Sequence, residues 1–376
     1  MGEKVRVGLV YGGRSGEHEV SLQTALAVMK AFDYDKYEIK PFYISKSGEW
    51  RSGSILLAPP SELELLRLAD GNAQSGLEAL TPVFNGLSGA LVEGGARAVD
   101  RKPLDVVFPL LHGTFGEDGT IQGMLEMANI PYVGAGVLAS AVGMDKVMMK
   151  KVFAQEGLPQ CVFRYFNRTQ WEKDPAFFVM EIEVALGYPC FIKPANLGSS
   201  VGISKARNRE ELIAGVEYAL RFDRKVIVEE FVDAREIEVS VLGNDEPRAS
   251  VCGEIATSSE FYDYKAKYMD GKSMMHIPAG IPAETAESIR EMAIRAYLAI
   301  DGSGLSRVDF FMRKLDGALF INEVNTMPGF TPYSMYPLMW KESGVSYSEL
   351  LDTLIELAIS RHAEKQRIEY GEGSPV

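Results

Sequence analysis

The chain has 376 residues, 46% of them apolar and 24% charged, with a net charge of −13. That length favours two or three domains, each large enough to bury its own core, and the composition is that of an ordinary globular protein. The acidic balance speaks against a nucleic-acid surface, which needs a basic stripe, and no stretch approaches the roughly 20 apolar residues of a membrane-spanning helix.

Read in chain order, Lys4-Val-Arg-Val-Gly-Leu-Val-Tyr11 has the length of a buried strand and is a poor signal peptide, so a cytoplasmic setting is expected. A glycine-rich turn, 12–16, leads into a helix over 19–32, and a second strand follows at 38–44. Residues 45–100 are rich in Gly, Ser and Pro and weakly periodic, which predicts exposed connections. A buried strand at 104–111 and a helix at 120–128 complete an alternation that predicts an α/β domain with a mainly parallel sheet. A helix over 144–156 is expected to open a second domain, which continues with a strand at 189–194, a Gly/Ser loop, a helix at 209–221 and a strand at 225–231. The last segment has strands near 236–242, 307–312 and 318–324 flanked by helices at 284–299 and 348–361, with frayed residues from 370. Cys161, Cys190 and Cys252 are too few and too far apart for a disulfide frame or zinc site and read as buried thiols.

Two places carry chemistry on residue type and spacing alone. In Phe191-Ile-Lys-Pro-Ala-Asn-Leu-Gly-Ser-Ser-Val-Gly202 a lysine ends a buried strand and a loop of small residues follows. Gly198 and Gly202 can take unusual dihedrals, so that backbone N–H groups converge on an anion, although a plain polar connector fits the same residues. In Arg307-Val-Asp309 and Glu323-Val-Asn325, alternation puts each outer pair on one strand face. Two carboxylates and an amide oxygen suit magnesium carrying phosphates, and a cross-strand salt bridge to Arg307 is the competing reading. Neither a dinucleotide fingerprint nor a Walker loop is present: Glu17 stands where a pyrophosphate would approach, and Gly271-Lys-Ser273 has Ala266 where the upstream glycine is needed.

Together these elements resemble the ATP-grasp superfamily, and within it the D-alanine–D-alanine ligases. The resemblance runs in register through Gly12-Gly-Arg-Ser-Gly-Glu-His-Glu-Val-Ser21, Leu111-His-Gly-Thr-Phe-Gly-Glu-Asp-Gly-Thr-Ile-Gln-Gly123, Met144-Asp-Lys146, Lys193 to Gly202, Phe261-Tyr-Asp-Tyr-Lys-Ala-Lys-Tyr268, Arg307-Val-Asp309 and Glu323-Val-Asn-Thr-Met-Pro-Gly-Phe-Thr331. It implies a three-domain α/β (α+β) ATP-grasp fold, divided here at 1–138, 139–232 and 233–376, with ATP between the last two domains.

The same resemblance assigns roles. Lys146, Lys193 and Ser200 are expected at the ATP phosphates, Glu229, Glu230 and Val232 along the base, Glu236 at the ribose and Phe261 packed on adenine. Asp309, Glu323 and Asn325 are the expected ligands of one or two magnesium ions, with manganese as a substitute. Glu17, Ser199 and Tyr268 form the group around the first D-alanine, with His112 close by, and Lys267 belongs to the substrate lid at 257–280. Arg307 and the Gly329 N–H match an oxyanion-stabilising pair, and Ser334 with the Met335 N–H the site of the second carboxylate. The implied reaction is ATP-dependent joining of two D-alanine molecules through an acyl phosphate, by a homodimer. Ligases that take D-lactate or D-serine second are the nearest alternatives; the ester-forming relatives carry a histidine in the lid, where this chain has Lys267-Tyr268, and His276 lies just beyond. A nucleotide-binding scaffold module would lack the full ligand set, and a dehydrogenase would use nicotinamide.

Overall fold

The computed structural model describes residues 3–68, 74–75, 103–256 and 274–369. The first strand, β1 (Val5–Gly12), turns directly into helix α1 (His18–Ala31) and returns as β2 (Tyr37–Ile44). Short strands β3 (Trp50–Ser52) and β4 (Gln74–Ser75) extend one edge, and β5 (Val106–Pro109) completes the order β4-β3-β2-β1-β5. The sheet is mixed: β1 runs parallel to β2 and β5, whereas β3 joins β2 antiparallel, since the hairpin-length connection between them cannot return a strand parallel, and β4 joins β3 antiparallel. Helix α2 (Thr120–Met127) follows β5.

The helix expected over 144–156 forms over Lys146–Gln155, and a further helix precedes it. Helix α3 (Val137–Met144) ends at Asp145, which takes an extended ψ of 96° and caps α4 (Lys146–Gln155) by accepting from the N–H groups of Val147 and Met148. The joint turns Lys146 toward the cleft instead of burying it inside a continuous helix.

The middle of the chain builds an antiparallel sheet in the order β6-β9-β7-β8, from β6 (Phe163–Asn167), β7 (Cys190–Pro194), β8 (Ser204–Ala206) and β9 (Lys225–Glu230). Helices α5 (Arg168–Lys173), α6 (Pro175–Ala185) and α7 (Arg209–Ala219) accompany it, and its own core gathers Phe166, Trp171, Ile192, Val216 and Val228.

The last sheet is antiparallel in the order β12-β11-β10-β13-β14. It comprises β10 (Ala234–Gly243), β11 (Arg248–Ala256), β12 (Met274–His276), β13 (Gly304–Arg313) and β14 (Leu319–Asn325), backed by α8 (Ala283–Ala299). Its core takes in Ala139 of α3 and Met149 and Phe153 of α4. Helices α9 (Met335–Glu342) and α10 (Tyr347–Lys365) then pack back on the first sheet: Trp340, Leu350 and Leu354 share a core with Val7, Leu9 and Phe108. The two ends of the chain are therefore one packed body. All three cysteines are buried free thiols.

Candidate functional site

Three loops meet where the sheets face one another. The first is the turn from β1 into α1. The Ser21 hydroxyl accepts from the Gly12 N–H and donates to the Leu110 carbonyl, fixing the turn against β5, and Glu17 directly precedes the helix. The second is the loop after β7. Here Ser199 and Ser200 take positive φ (52° and 59°), as does Gly202 (76°). Gly198, expected to supply unusual dihedrals, has an ordinary φ and serves another need: an added Cβ would stand 3.1 Å from the Glu17 carboxylate. The Ser199 hydroxyl donates to Glu17 Oε1, tying this loop to the first sheet's turn.

The third segment is the end of β14 and the loop beyond it. Asp309 pairs with Glu323 and Arg307 with Asn325 across the β13–β14 ladder, so all four side chains share one face. Arg307 holds Asp309 bidentately, at 2.7 Å from Nε and 2.7 Å from Nη2, and its Nε lies 3.1 Å from Glu238 Oε2 on β10. Burial opposes the guanidinium charge, but Asp309 and Glu238 outweigh it and raise its pKa further. Asn325 donates its amide to Asp309 Oδ2 at 2.9 Å, which leaves the amide oxygen as the atom it can offer a cation. Lys146 Nζ donates to the Leu197 carbonyl at 2.8 Å and stands 4.0 Å from Glu323. Two carboxylates and an amide on adjacent strands fit a hard cation completed by phosphate oxygens. Among the described residues no group of three His, Cys, Asp or Glu forms a closed metal cage.

Two cavities open from this face. One, of about 400 Å³, is lined by Glu17, His112, Ser199, Asn325, Gly329, Ser334 and Met335. The other, of about 540 Å³, is lined by Lys193, Glu229, Glu230, Val232, Glu236 and Asp309. Lys146, Ser200, Arg307 and Glu323 line both and form the wall between them. In the first, Ser334 precedes α9, whose N-terminal N–H groups attract a carboxylate; its hydroxyl accepts from the Thr331 N–H at 3.1 Å. In the second, Lys193 donates to Glu229 at 2.5 Å. Phe261, Lys267 and Tyr268 lie outside the described residues, as do residues 257–273 of the expected lid and 370–376 of the expected frayed end. His276 ends β12 and is exposed.

Sequence reasoning misses polar residues in and around the site, among them Glu238, Lys205, Lys150 and Glu117. Glu238 is two positions past Glu236 on the same strand and lines both cavities. Lys205 also lines the larger cavity. Lys150, one helical turn beyond Lys146, is buried with its Nζ 3.1 Å from Glu229 Oε1. Glu117 accepts from the N–H groups of Gly113 (2.6 Å) and Met327 (3.2 Å). Burial, joined by the nearby Glu17 carboxylate, pushes Glu117 up to about 8 against those two bonds and Arg307. Alternation and helical spacing were the available signals for Glu238 and Lys150; Glu117 had only its place in the block that begins at Leu111.

The family profile described as D-ala D-ala ligase N-terminus matches residues 6–135, and that described as D-ala D-ala ligase C-terminus matches 152–356. A D-alanine–D-alanine ligase of Bacillus velezensis is 56% identical over 96% of this chain and 99% of its own length, and one of Bacillus cytotoxicus is 54% identical over 98% and 99%. Among solved structures, the D-alanine–D-alanine ligase of Coxiella burnetii superposes with a TM-score of 0.79 at 32% identity, covering 97% of each chain. The VanG D-Ala:D-Ser ligase of Enterococcus faecalis superposes with a TM-score of 0.81 at 38% identity, covering 95% of this chain and all of that one. The three sheets are thus those of the ATP-grasp fold, and the chain belongs to the D-alanine–D-alanine ligase family.

Proposed function

We propose that this chain joins two molecules of D-alanine into D-alanyl-D-alanine at the expense of ATP, supplying a precursor for peptidoglycan. The observation that carries the reading is the shared wall of the two cavities, formed by Lys146, Arg307 and Glu323. A phosphoryl group leaving a nucleotide in the larger cavity crosses there to a carboxylate in the smaller one. Magnesium held by Asp309, Glu323 and Asn325, as one or two ions that manganese can replace, would offset the charge of the transferring group.

The residues then divide the work. Lys146, Lys193 and Ser200 take the phosphates, Glu229, Glu230 and Val232 line the base, and Glu236 holds the ribose. Glu17, oriented by Ser199, receives the ammonium of the first D-alanine, whose carboxylate oxygen attacks the γ-phosphorus as the bond to ADP breaks. The neutral amine of the second D-alanine attacks the acyl phosphate; the C–N bond forms, phosphate leaves, and the amine's surplus proton goes to solvent. Arg307 and the Gly329 N–H stabilise the tetrahedral oxyanion. Ser334 and the first N–H of α9 seat the second carboxylate.

Competition tests the product: with D-alanine and D-lactate supplied together at pH 7, dipeptide should predominate. Mainly ester, or ADP release with neither product, would overturn the reading. The family likeness also supports a cytoplasmic homodimer; sedimentation of the purified protein as a 41.4 kDa species would remove the dimer.

A further inference from the structure

The loop that runs on from Asn325 to Gly329 is gripped from outside its own sheet on both sides of Met327. Its N–H donates to Glu117 Oε1 at 3.2 Å, and its carbonyl accepts from His112 Nδ1 at 3.2 Å. Both partners come from the loop between β5 and α2, more than 200 residues earlier in the chain. His112 has little choice of tautomer: a carbonyl at Nδ1 requires that nitrogen to carry the proton, so Nε2 accepts from the Thr24 hydroxyl at 3.2 Å. Its backbone carbonyl meanwhile accepts from the Ser15 hydroxyl, two positions before Glu17. Glu117 reaches back with its other oxygen to the Gly113 N–H at 2.6 Å. One glutamate side chain and one imidazole thus join the turn that carries Glu17 to the loop that carries Gly329.

We propose that Glu117 is a positioning residue of ligation: with His112 it grips the backbone on both sides of Met327 and so registers the Gly329 N–H against the pocket of the first substrate. This rests on the assignment of Glu17 and Gly329 to the reaction. Glu117 lines the cavity but is spent on two backbone N–H groups, and His112 has both ring nitrogens engaged within the protein. Their contribution is geometric. An oxyanion donor displaced by about 1 Å loses on the order of 100-fold in rate.

The test combines two readouts on intact protein. In Glu117→Ala, amide exchange in a peptide spanning residues 325–331 should accelerate, and kcat for dipeptide should fall roughly 10- to 100-fold. KM for ATP should stay within about twofold, because the nucleotide cavity is untouched. Glu117→Gln offers a single acceptor oxygen and should fall between Ala and wild type in both readouts. Unchanged exchange in the Ala variant, or loss of activity that appears wholly as weaker ATP use, would overturn the clamp. A wild-type protein that formed no dipeptide would instead refute the assigned reaction, and the exchange result would still judge the clamp.

Discussion

Glu229 is where the energetics of single residues are most exposed to test. Two ammonium groups, Lys150 at 3.1 Å and Lys193 at 2.5 Å, converge on one carboxylate whose side chain is 4% exposed. Burial alone would raise the carboxyl pKa, but the two lysines outweigh it and hold it at about 2. The trio carries a net positive charge, so its members are not equivalent. Glu229→Gln leaves two buried like charges facing each other and should cost about 3–5 kcal/mol, as unpaired buried charges do. Lys150→Met leaves a balanced pair and an apolar stem of similar volume, and should cost less than about 2 kcal/mol. Urea denaturation of both variants decides; the opposite order would mean that Glu229 does not neutralise the lysines. The sign of the pH effect follows from the lowered pKa. The stabilisation is complete above the unfolded carboxyl value near 4.5 and is lost as pH falls toward about 2. In Glu229→Gln the acid limb of stability should flatten across that window.

At the scale of elements, the β13–β14 pair decides how the metal ligands can be tested. Asp309 serves a second purpose, as the bidentate partner of Arg307 at 2.7 Å, whereas Lys146 stands 4.0 Å from Glu323. Both Asp309→Asn and Glu323→Gln should therefore lose magnesium-dependent turnover, but the first should lose more stability, by roughly 1–3 kcal/mol, because it breaks a bidentate charge-assisted pair. Near-normal turnover in both would remove the metal assignment. Turnover lost with stability falling equally in both would point to a structural pairing instead. This face was legible in the sequence because β-alternation is strict: Arg307, Asp309, Glu323 and Asn325 had to share a side once the two runs paired. The long amphipathic helices α1, α8 and α10 were legible for the same periodic reason. Other elements hid behind local chemistry. In α9, Pro337 looks like a breaker, yet it falls within the helix's first turn, where no N–H is needed. In β11 the run Arg-Ala-Ser-Val-Cys-Gly-Glu-Ile-Ala is largely buried on both faces, so no alternation marks it. Glu117 was illegible because a buried carboxyl is recognised by its partners, and Met327 lies 210 residues away.

The arrangement of cores predicts how the whole molecule opens. Burial joins parts of the first and last of the three units expected at 1–138, 139–232 and 233–376. Val7, Leu9 and Phe108 of the first sheet share one core with Phe330, Trp340 and Leu354 from the end of the chain. Arg361 of α10 adds polar ties to the carbonyls of Tyr132 (2.9 Å) and Gly134 (2.5 Å) and to the Ser303 hydroxyl. The middle sheet keeps a separate, smaller core; among the described residues it is tied to the rest by polar contacts such as Lys225–Asp145, Lys150–Glu229 and Ser199–Glu17 and by a small cluster of Val147, Ala195 and Ile227. Regions with fewer buried contacts open at lower free energy. Native-state amide exchange should therefore show β1 and α10 opening together, although more than 300 residues separate them, while β7 and β9 exchange earlier as their own unit. A nucleotide held between the middle and last sheets binds the closed form alone, so saturating it at about 100 times its Kd should slow exchange in β7 and β9 by roughly 100-fold. The exchange of α10 should change less. Should β1 and α10 exchange at unrelated rates, the shared core would not be a cooperative unit. Should β7 and β9 be indifferent to ATP, the larger cavity would not be the nucleotide's seat.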